Sequence, residues 1–145
     1  MIEFPTISQA RGSLTVAEVA KTVPFDVQRT FFVYNVPTAE LRGAHAHRTC
    51  HQLLICVHGS VSADVRSQGE RATFHLTTPS EGLLIRAGTW GGQHSYSADA
   101  VLCVLASQPY DASDYIHDLA DFEGYERRLR RTTEAGTQHA YGQES

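Results

Sequence analysis

Two histidines separated by a single residue, His45 and His47, are the most chemically informative feature of the sequence, and His51 follows shortly after them. Successive side chains of a β-strand point to opposite faces, so His45 and His47 are predicted to share a face, as does His51 if the strand continues. An imidazole titrates nearest neutral pH, so a pair can take a proton from carbon and return one elsewhere. The spacing predicts general acid–base chemistry with His45 and His47 as the catalytic residues.

A metal site is the main alternative for this spacing. Such a site would add a carboxylate soon after the pair and a third histidine from a later strand. No Asp or Glu occurs between Gly43 and Ala63, so His51 or Gln52 occupies the carboxylate position. Gly91 stands where the third histidine is expected. Only His94 could substitute for it. We therefore predict neither a metal nor a cofactor. A pair of solvated surface histidines is a further alternative, which the glycine, alanine and apolar neighbours disfavour.

Two imidazoles side by side suit an enediol-type isomerisation, in which a proton leaves the carbon next to a ketone and another reaches the former carbonyl carbon. A cation near them, Arg29 or Arg42, would stabilise the developing enediolate. Tyr34 offers a hydrogen-bond donor for a substrate hydroxyl. The predicted substrate-binding residues are Arg29, Tyr34, Arg42, His51 and Trp90.

Short segments rich in β-branched and aromatic residues alternate with Gly/Pro turns, which predicts an antiparallel sandwich or barrel. The predicted strands are 27–36, 42–49, 51–58, 61–66, 71–76, 83–86 and 100–107, the last of them buried on both faces. Helical signal appears only late, over 115–129. We predict a single domain over 1–131 and a flexible tail over 132–145, where the sequence is polar and aperiodic.

The net charge of −4 and the lack of a basic stripe exclude a polyanion such as nucleic acid as an expected partner. The N-terminus does not resemble a secretory signal, and the apolar runs are too short to cross a membrane. The cysteine count is three, without CxxC spacing, which predicts buried free thiols in a reducing cytoplasm.

Several motifs occur together in order: RGAHAH at 42–47, HQLLIC at 51–56, a Gly-x-Trp turn at 88–90, and SQPYDASDYI at 107–116. Over residues 10–123 the chain resembles the cupin-type sugar 3,4-ketoisomerases that act on dTDP-4-keto-6-deoxyglucose. The resemblance implies a cupin barrel (jelly roll), no metal, and His45 and His47 as the proton-transfer groups. It differs from the family at Gly91-Gly92, where members usually have a histidine after the tryptophan.

The resemblance also implies a homodimer that exchanges N-terminal strands. Residues 2–23 fit this expectation, because a long, weakly amphipathic segment has few partners within one small barrel. Two other functions stay open at this point. One is a metal-dependent cupin enzyme, epimerase-like or an oxygenase. The other is a non-catalytic nucleotide-sugar-binding cupin in which Trp90 and Tyr96 stack on the ligand.

Overall fold

A computed structural model of the chain describes residues 1–140, and the side chains of residues 1–134. Within this part of the chain there are twelve strands and one α-helix. The strands are β1 (Ile2–Glu3), β2 (Thr6–Gln9), β3 (Gly12–Thr15), β4 (Arg29–Tyr34), β5 (Arg42–His47), β6 (Gln52–His58), β7 (Val61–Ser67), β8 (Glu70–Leu76), β9 (Glu81–Ile85), β10 (Trp90–His94), β11 (Val101–Ala106) and β12 (Tyr115–Ile116). The helix α1 spans Leu119–Ala140.

The strands form two five-stranded sheets, and all of their pairings are antiparallel. The first sheet has the order β1-β9-β6-β11-β4, and the second has the order β12-β5-β10-β7-β8. Neighbours within each sheet are mostly distant in sequence, as in a jelly roll. The hairpin of β2 and β3 stands apart from both sheets. The predicted antiparallel all-β architecture is confirmed.

The main core lies between the two sheets and includes Leu54, Leu102 and Val104. Alternation along β11 places its even-numbered residues in this core, whereas its odd-numbered residues are half-buried on the outer face. There the N-terminal segment covers the sheet with Phe4 and Val23. A third cluster lies on the outer face of the second sheet, where Phe122 of α1 packs. The central strands β6 and β11 of the first sheet are thus covered on both faces, which explains why their sequences are nearly continuously apolar.

Strand β10 was not predicted, because its sequence WGGQH contains two glycines, which disfavour a strand. Pairing on both sides, with β5 and β7, determines its conformation instead. The N-terminal strands β1 to β3 were expected only from the family resemblance, and the sequence pattern did not predict their positions. Their short segments lack the alternation of apolar and polar residues that identifies a half-buried strand.

The helical prediction over 115–129 is wrong at its start, because Tyr115 and Ile116 form β12 by pairing with β5 and α1 begins at Leu119. Helix α1 continues to Ala140 and so includes residues 132–140 of the segment predicted to be a flexible tail. Arginine and glutamate favour a helix, and the hydroxyls of Thr132 and Thr133 donate to carbonyls one turn earlier. Residues 141–145 of the predicted tail lie outside the described residues. None of the described helical structure has the length and hydropathy of a membrane span.

Candidate active site

Strand β5 holds the histidine pair near the edge of the second sheet, between β12 and β10. Tyr115 of β12 is the direct partner of His47, and Gly91 of β10 is the direct partner of His45. Directly paired residues share a face. A Cβ on Gly91 would lie 3.2 Å from Cδ1 of Ile85, which belongs to the first sheet. His45 and His47 therefore point between the sheets, with their ring centroids 4.9 Å apart. The sequence prediction that the two rings share a face is confirmed.

A buried carboxylate fixes the orientation of the second histidine. The Nδ1 atom of His47 lies 3.1 Å from Oδ2 of Asp114. Asp114 also accepts hydrogen bonds from the backbone and hydroxyl of Thr49 and from the backbone N–H of Cys50. An ionised carboxylate can only accept hydrogen bonds, so Nδ1 of His47 is the donor to Asp114. Its Nε2 is buried without a partner among the described residues, and it carries the lone pair.

The electrostatic environment keeps both imidazoles neutral at cellular pH. Burial, followed by the neighbouring imidazoles of His47 and His117, lowers the pKa of His45 to about 4. Burial also lowers the pKa of His47, although the hydrogen bond and charge of Asp114 oppose the shift. Burial disfavours the charged form of Asp114, but the hydrogen bonds from Thr49 and Cys50 outweigh it, so its pKa lies below the usual range. Two neutral bases backed by a carboxylate can accept protons at pH 7.

Three aromatic residues that the sequence analysis did not assign to the site complete this cluster. The Tyr115 ring lies 4.3 Å from that of His47 and 5.0 Å from that of His45, between centroids. His117 stacks on Tyr115 and lies 6.0 Å from His45, and Tyr110 lies 5.7 Å from Tyr115. The motif at 107–116 contains both tyrosines and Asp114. Its periodicity gives no indication that it lies beside residues about 70 positions earlier.

Among the predicted substrate-binding residues, the structure brings Arg29 to the histidines. Its guanidinium lies 5.2 Å from the Phe31 ring and 5.7 Å from the Tyr110 ring. Its charge acts on His47 and contributes to the lowered pKa of that residue. Arg29 therefore brings a positive charge close to the histidine pair.

Three other predicted residues lie elsewhere. Tyr34 is on the same strand as Arg29 but on the opposite face, and it is 61% exposed. Arg42 lies at the far end of β5, where its charge acts on the buried Tyr96. His51 stacks on Phe25, and its Nδ1 accepts from the backbone N–H of Ala87. His51 precedes β6 and does not continue β5, so the alternation that joins His45 and His47 does not extend to it.

Trp90 is placed on the other side of the second sheet from the histidine pair. It pairs directly with Ala46, and its ring lies 5.6 Å from that of Phe122 in α1. There it lines a separate groove of about 440 Å³. Tyr96 is fully buried in the main core. The structure therefore does not support the non-catalytic alternative in which Trp90 and Tyr96 stack on a ligand.

Comparison with known proteins identifies relatives over most of the chain. The model of the FdtA family, described as WxcM-like, C-terminal, matches residues 1–127. A TDP-4-oxo-6-deoxy-alpha-D-glucose-3,4-oxoisomerase of Aneurinibacillus thermoaerophilus is 34% identical over 125 residues, which cover 86% of this chain and 90% of that protein.

Solved structures show the same relationship. The sugar 3,4-ketoisomerase QdtA of Thermoanaerobacterium thermosaccharolyticum, in complex with TDP, superposes with a TM-score of 0.85 at 34% identity. The match covers 88% of this chain and 93% of QdtA. The RmlC epimerase of Mycobacterium tuberculosis superposes with a TM-score of 0.68 at 17% identity. That match covers 79% of this chain and 65% of the epimerase chain. It shares the fold alone, and with QdtA it confirms the predicted cupin-type jelly roll.

The fold and the buried histidine pair define a cupin-type isomerase. The chain belongs to the FdtA (WxcM-like, C-terminal) family, together with the sugar 3,4-ketoisomerases.

Proposed function

We propose that this protein moves the carbonyl of TDP-4-keto-6-deoxyglucose from C4 to C3, giving a TDP-linked 3-keto-6-deoxyhexose. Its relative from Aneurinibacillus thermoaerophilus is named for this reaction, and a QdtA variant was solved in complex with TDP-4-keto-6-deoxyglucose. One observation in this chain carries the proposal. The ring centroids of the half-buried, neutral His45 and of His47 are 4.9 Å apart, and the hydrogen bond from Nδ1 of His47 to Asp114 fixes the orientation of the second ring.

The reaction requires two proton relocations, one between carbons and one between oxygens. In our proposal, neutral His45 takes the proton from C3, and the C–H electron pair forms the C3–C4 double bond of an enediolate. Nε2 of His47, which presents a lone pair, accepts the proton of the 3-hydroxyl. His47 donates this proton to the enediolate oxygen at C4, and His45 returns a proton to C4 as the C3 carbonyl forms. C3 is oxidised, C4 is reduced, and no external electron acceptor is needed.

Two neighbouring groups support this chemistry. The Asp114 carboxylate stabilises the imidazolium that forms when His47 accepts a proton, as the buried carboxylate of a catalytic triad does. The Arg29 guanidinium places positive charge where the enediolate develops. The scheme uses side chains alone, and we propose that the enzyme needs no metal. Within the described residues, no group of three or more His, Cys, Asp or Glu side chains is arranged to hold a metal ion.

The test is incubation of the protein with TDP-4-keto-6-deoxyglucose in deuterium oxide, followed by NMR of the sugar ring. We expect the C4 carbonyl signal to be replaced by a C3 carbonyl signal and a new hydrogen or deuterium at C4. The coupling constants of that position also give the configuration of the product. The double variant His45→Asn/His47→Asn is the control. Unchanged substrate with the wild-type protein would contradict the proposal.

We also propose that the protein is a homodimer joined through its N-terminal strands. The β2–β3 hairpin pairs with no other described strand and exposes 54% of Ile7 and 59% of Leu14. The outer face of the first sheet exposes 57% of Phe32 beside Tyr34. Exchange of hairpins between two copies would cover both surfaces and remove free strand edges.

Light scattering tests the dimer. We expect about twice the chain mass of 16.0 kDa for the intact protein, and dissociation for Ile7→Ser/Leu14→Ser. Point variants are preferable to removal of residues 1–12, because Phe4 is buried in the chain's own core. Leu129→Ser, on exposed helix surface, is the matched control. A mass of one chain for the active wild-type protein would overturn the proposal.

We propose a cytoplasmic location as well. Cys50, Cys56 and Cys103 are all free thiols, which is typical of proteins in reducing compartments.

A further inference from the structure

His117 stands at the exposed end of the catalytic cluster. It directly follows β12, its side chain is exposed, and its ring stacks on Tyr115 at 5.4 Å with an interplanar angle of 11°. The ring centroid of His45 lies 6.0 Å away, edge-on. Stacking on Tyr115, which itself contacts both catalytic histidines, holds the imidazole beside the pair.

The three imidazoles form a row of increasing exposure. His47 is only 5% exposed, His45 is half-buried, and His117 is exposed. A water molecule with two hydrogen bonds of about 2.9 Å at a near-tetrahedral angle spans about 4.7 Å between the bonded nitrogens. Because each ring nitrogen lies about 1 Å from its ring centroid, a single water can bridge two rings whose centroids are 6.0 Å apart. The row therefore connects the buried site to solvent through imidazoles, whose two ring nitrogens can each accept or release a proton.

We propose that His117 carries protons between His45 and solvent. This inference rests on the proposed function, in which His45 holds the C3 proton during the enediolate stage. The His45 imidazolium passes its proton through the bridging water to one ring nitrogen of His117, which releases the proton on its other nitrogen to solvent. The reverse sequence supplies His45 with a solvent proton for C4, so no net charge or electron is gained. His117 thus acts through His45 and does not contact the reacting carbons.

The charges around His45 favour this outward transfer. His47 on the same strand and His117 both lower the pKa of His45, and burial lowers it more. Tyr115 faces His45 from β12, whereas the charges of Asp114 and of Arg29 on β4 act on His47. A proton on His45 is consequently destabilised where it is, which favours its release toward the exposed end of the row.

The experiment measures where the hydrogen at C4 of the product originates. Substrate carrying protium at C3 is converted in deuterium oxide, and the deuterium content at C4 is read by NMR within the first turnover. For the wild-type enzyme we expect mostly deuterium. For His117→Asn we expect at least about a threefold lower deuterium content, because the protium on His45 is returned before it exchanges. Added imidazole should restore deuterium incorporation in this variant. His58→Asn, which alters an exposed histidine near Asp99, is the matched control.

A second measurement needs no substrate. NMR titration of the His45 ring should show its midpoint rising by some tenths of a pH unit in His117→Asn, because a nearby like charge is lost. An inactive wild-type protein would refute the proposed function, whereas this titration would still test the contact between His45 and His117. An active His117→Asn variant with unchanged deuterium content, or an unchanged His45 midpoint, would overturn the inference.

Discussion

Replacement of Asp114 by Asn tests the catalytic geometry most directly. The two residues have nearly the same shape, but the amide replaces one oxygen acceptor with an NH₂ donor. In the native site, Oδ1 accepts both hydrogen bonds from Thr49, and Oδ2 accepts those from Cys50 and His47. If the Asn oxygen keeps the Thr49 bonds, its NH₂ group faces the Cys50 N–H and Nδ1 of His47. His47 must then accept at Nδ1 and carry its proton on Nε2, so Nε2 no longer has a lone pair to accept a proton from the substrate.

The expected effect has a catalytic and a structural part. Loss of the correctly positioned base should lower kcat by roughly 10²–10⁴. Leaving the buried Cys50 N–H without an acceptor should cost about 1–3 kcal/mol of the free energy of unfolding. For a domain of this size, that corresponds to a drop of about 3–10 °C in Tm. The variant should therefore remain folded at 25 °C.

Turnover can be followed by NMR of the sugar, and Tm by circular dichroism. The matched control is Asp111→Asn, three residues earlier, which removes the same charge from an exposed carboxylate that accepts from the backbone N–H and hydroxyl of Ser113. We expect this control to keep its kcat within about twofold. A folded Asp114→Asn enzyme that retains most of the wild-type kcat would refute the role given to the His47–Asp114 pair.

Three further predictions follow from the site and the fold. His45→Asn and His47→Asn should each fold, by circular dichroism, but lose roughly 10² or more in turnover; near-normal rates for both would disprove the mechanism. Activity should survive prolonged chelator treatment, and a loss that divalent ions restore would favour a metal-dependent cupin. Gly59→Ala should lower Tm by several degrees, because at φ +69° its Cβ would lie 2.8 Å from the Ala100 Cα. Gly69→Ala, at φ +84° with no atom within 4 Å, isolates the backbone strain and should be the milder change.

The sequence by itself determined the local pattern of the site. Alternation along a strand depends only on neighbouring residues, and it correctly placed His45 and His47 together and Ala46 on the opposite face. The same rule, with the spacing of turns, predicted the antiparallel all-β fold. Alternation does not show, however, which other strand lies beside a given strand.

Pairing between distant segments decided the rest. The register of β12 on β5 brings Tyr115 opposite His47 and places Asp114 behind it, although 67 positions separate His47 and Asp114 in the chain. Tyr34 and Trp90 have suitable side chains for a sugar site, but each lies on the face of its sheet that points away from the histidines. Which face a residue occupies depends on how the sheets pack and what covers them. Alternation alone puts Arg29 and Tyr34 on opposite faces of β4, but only the tertiary structure shows that Arg29 is the one on the histidine side.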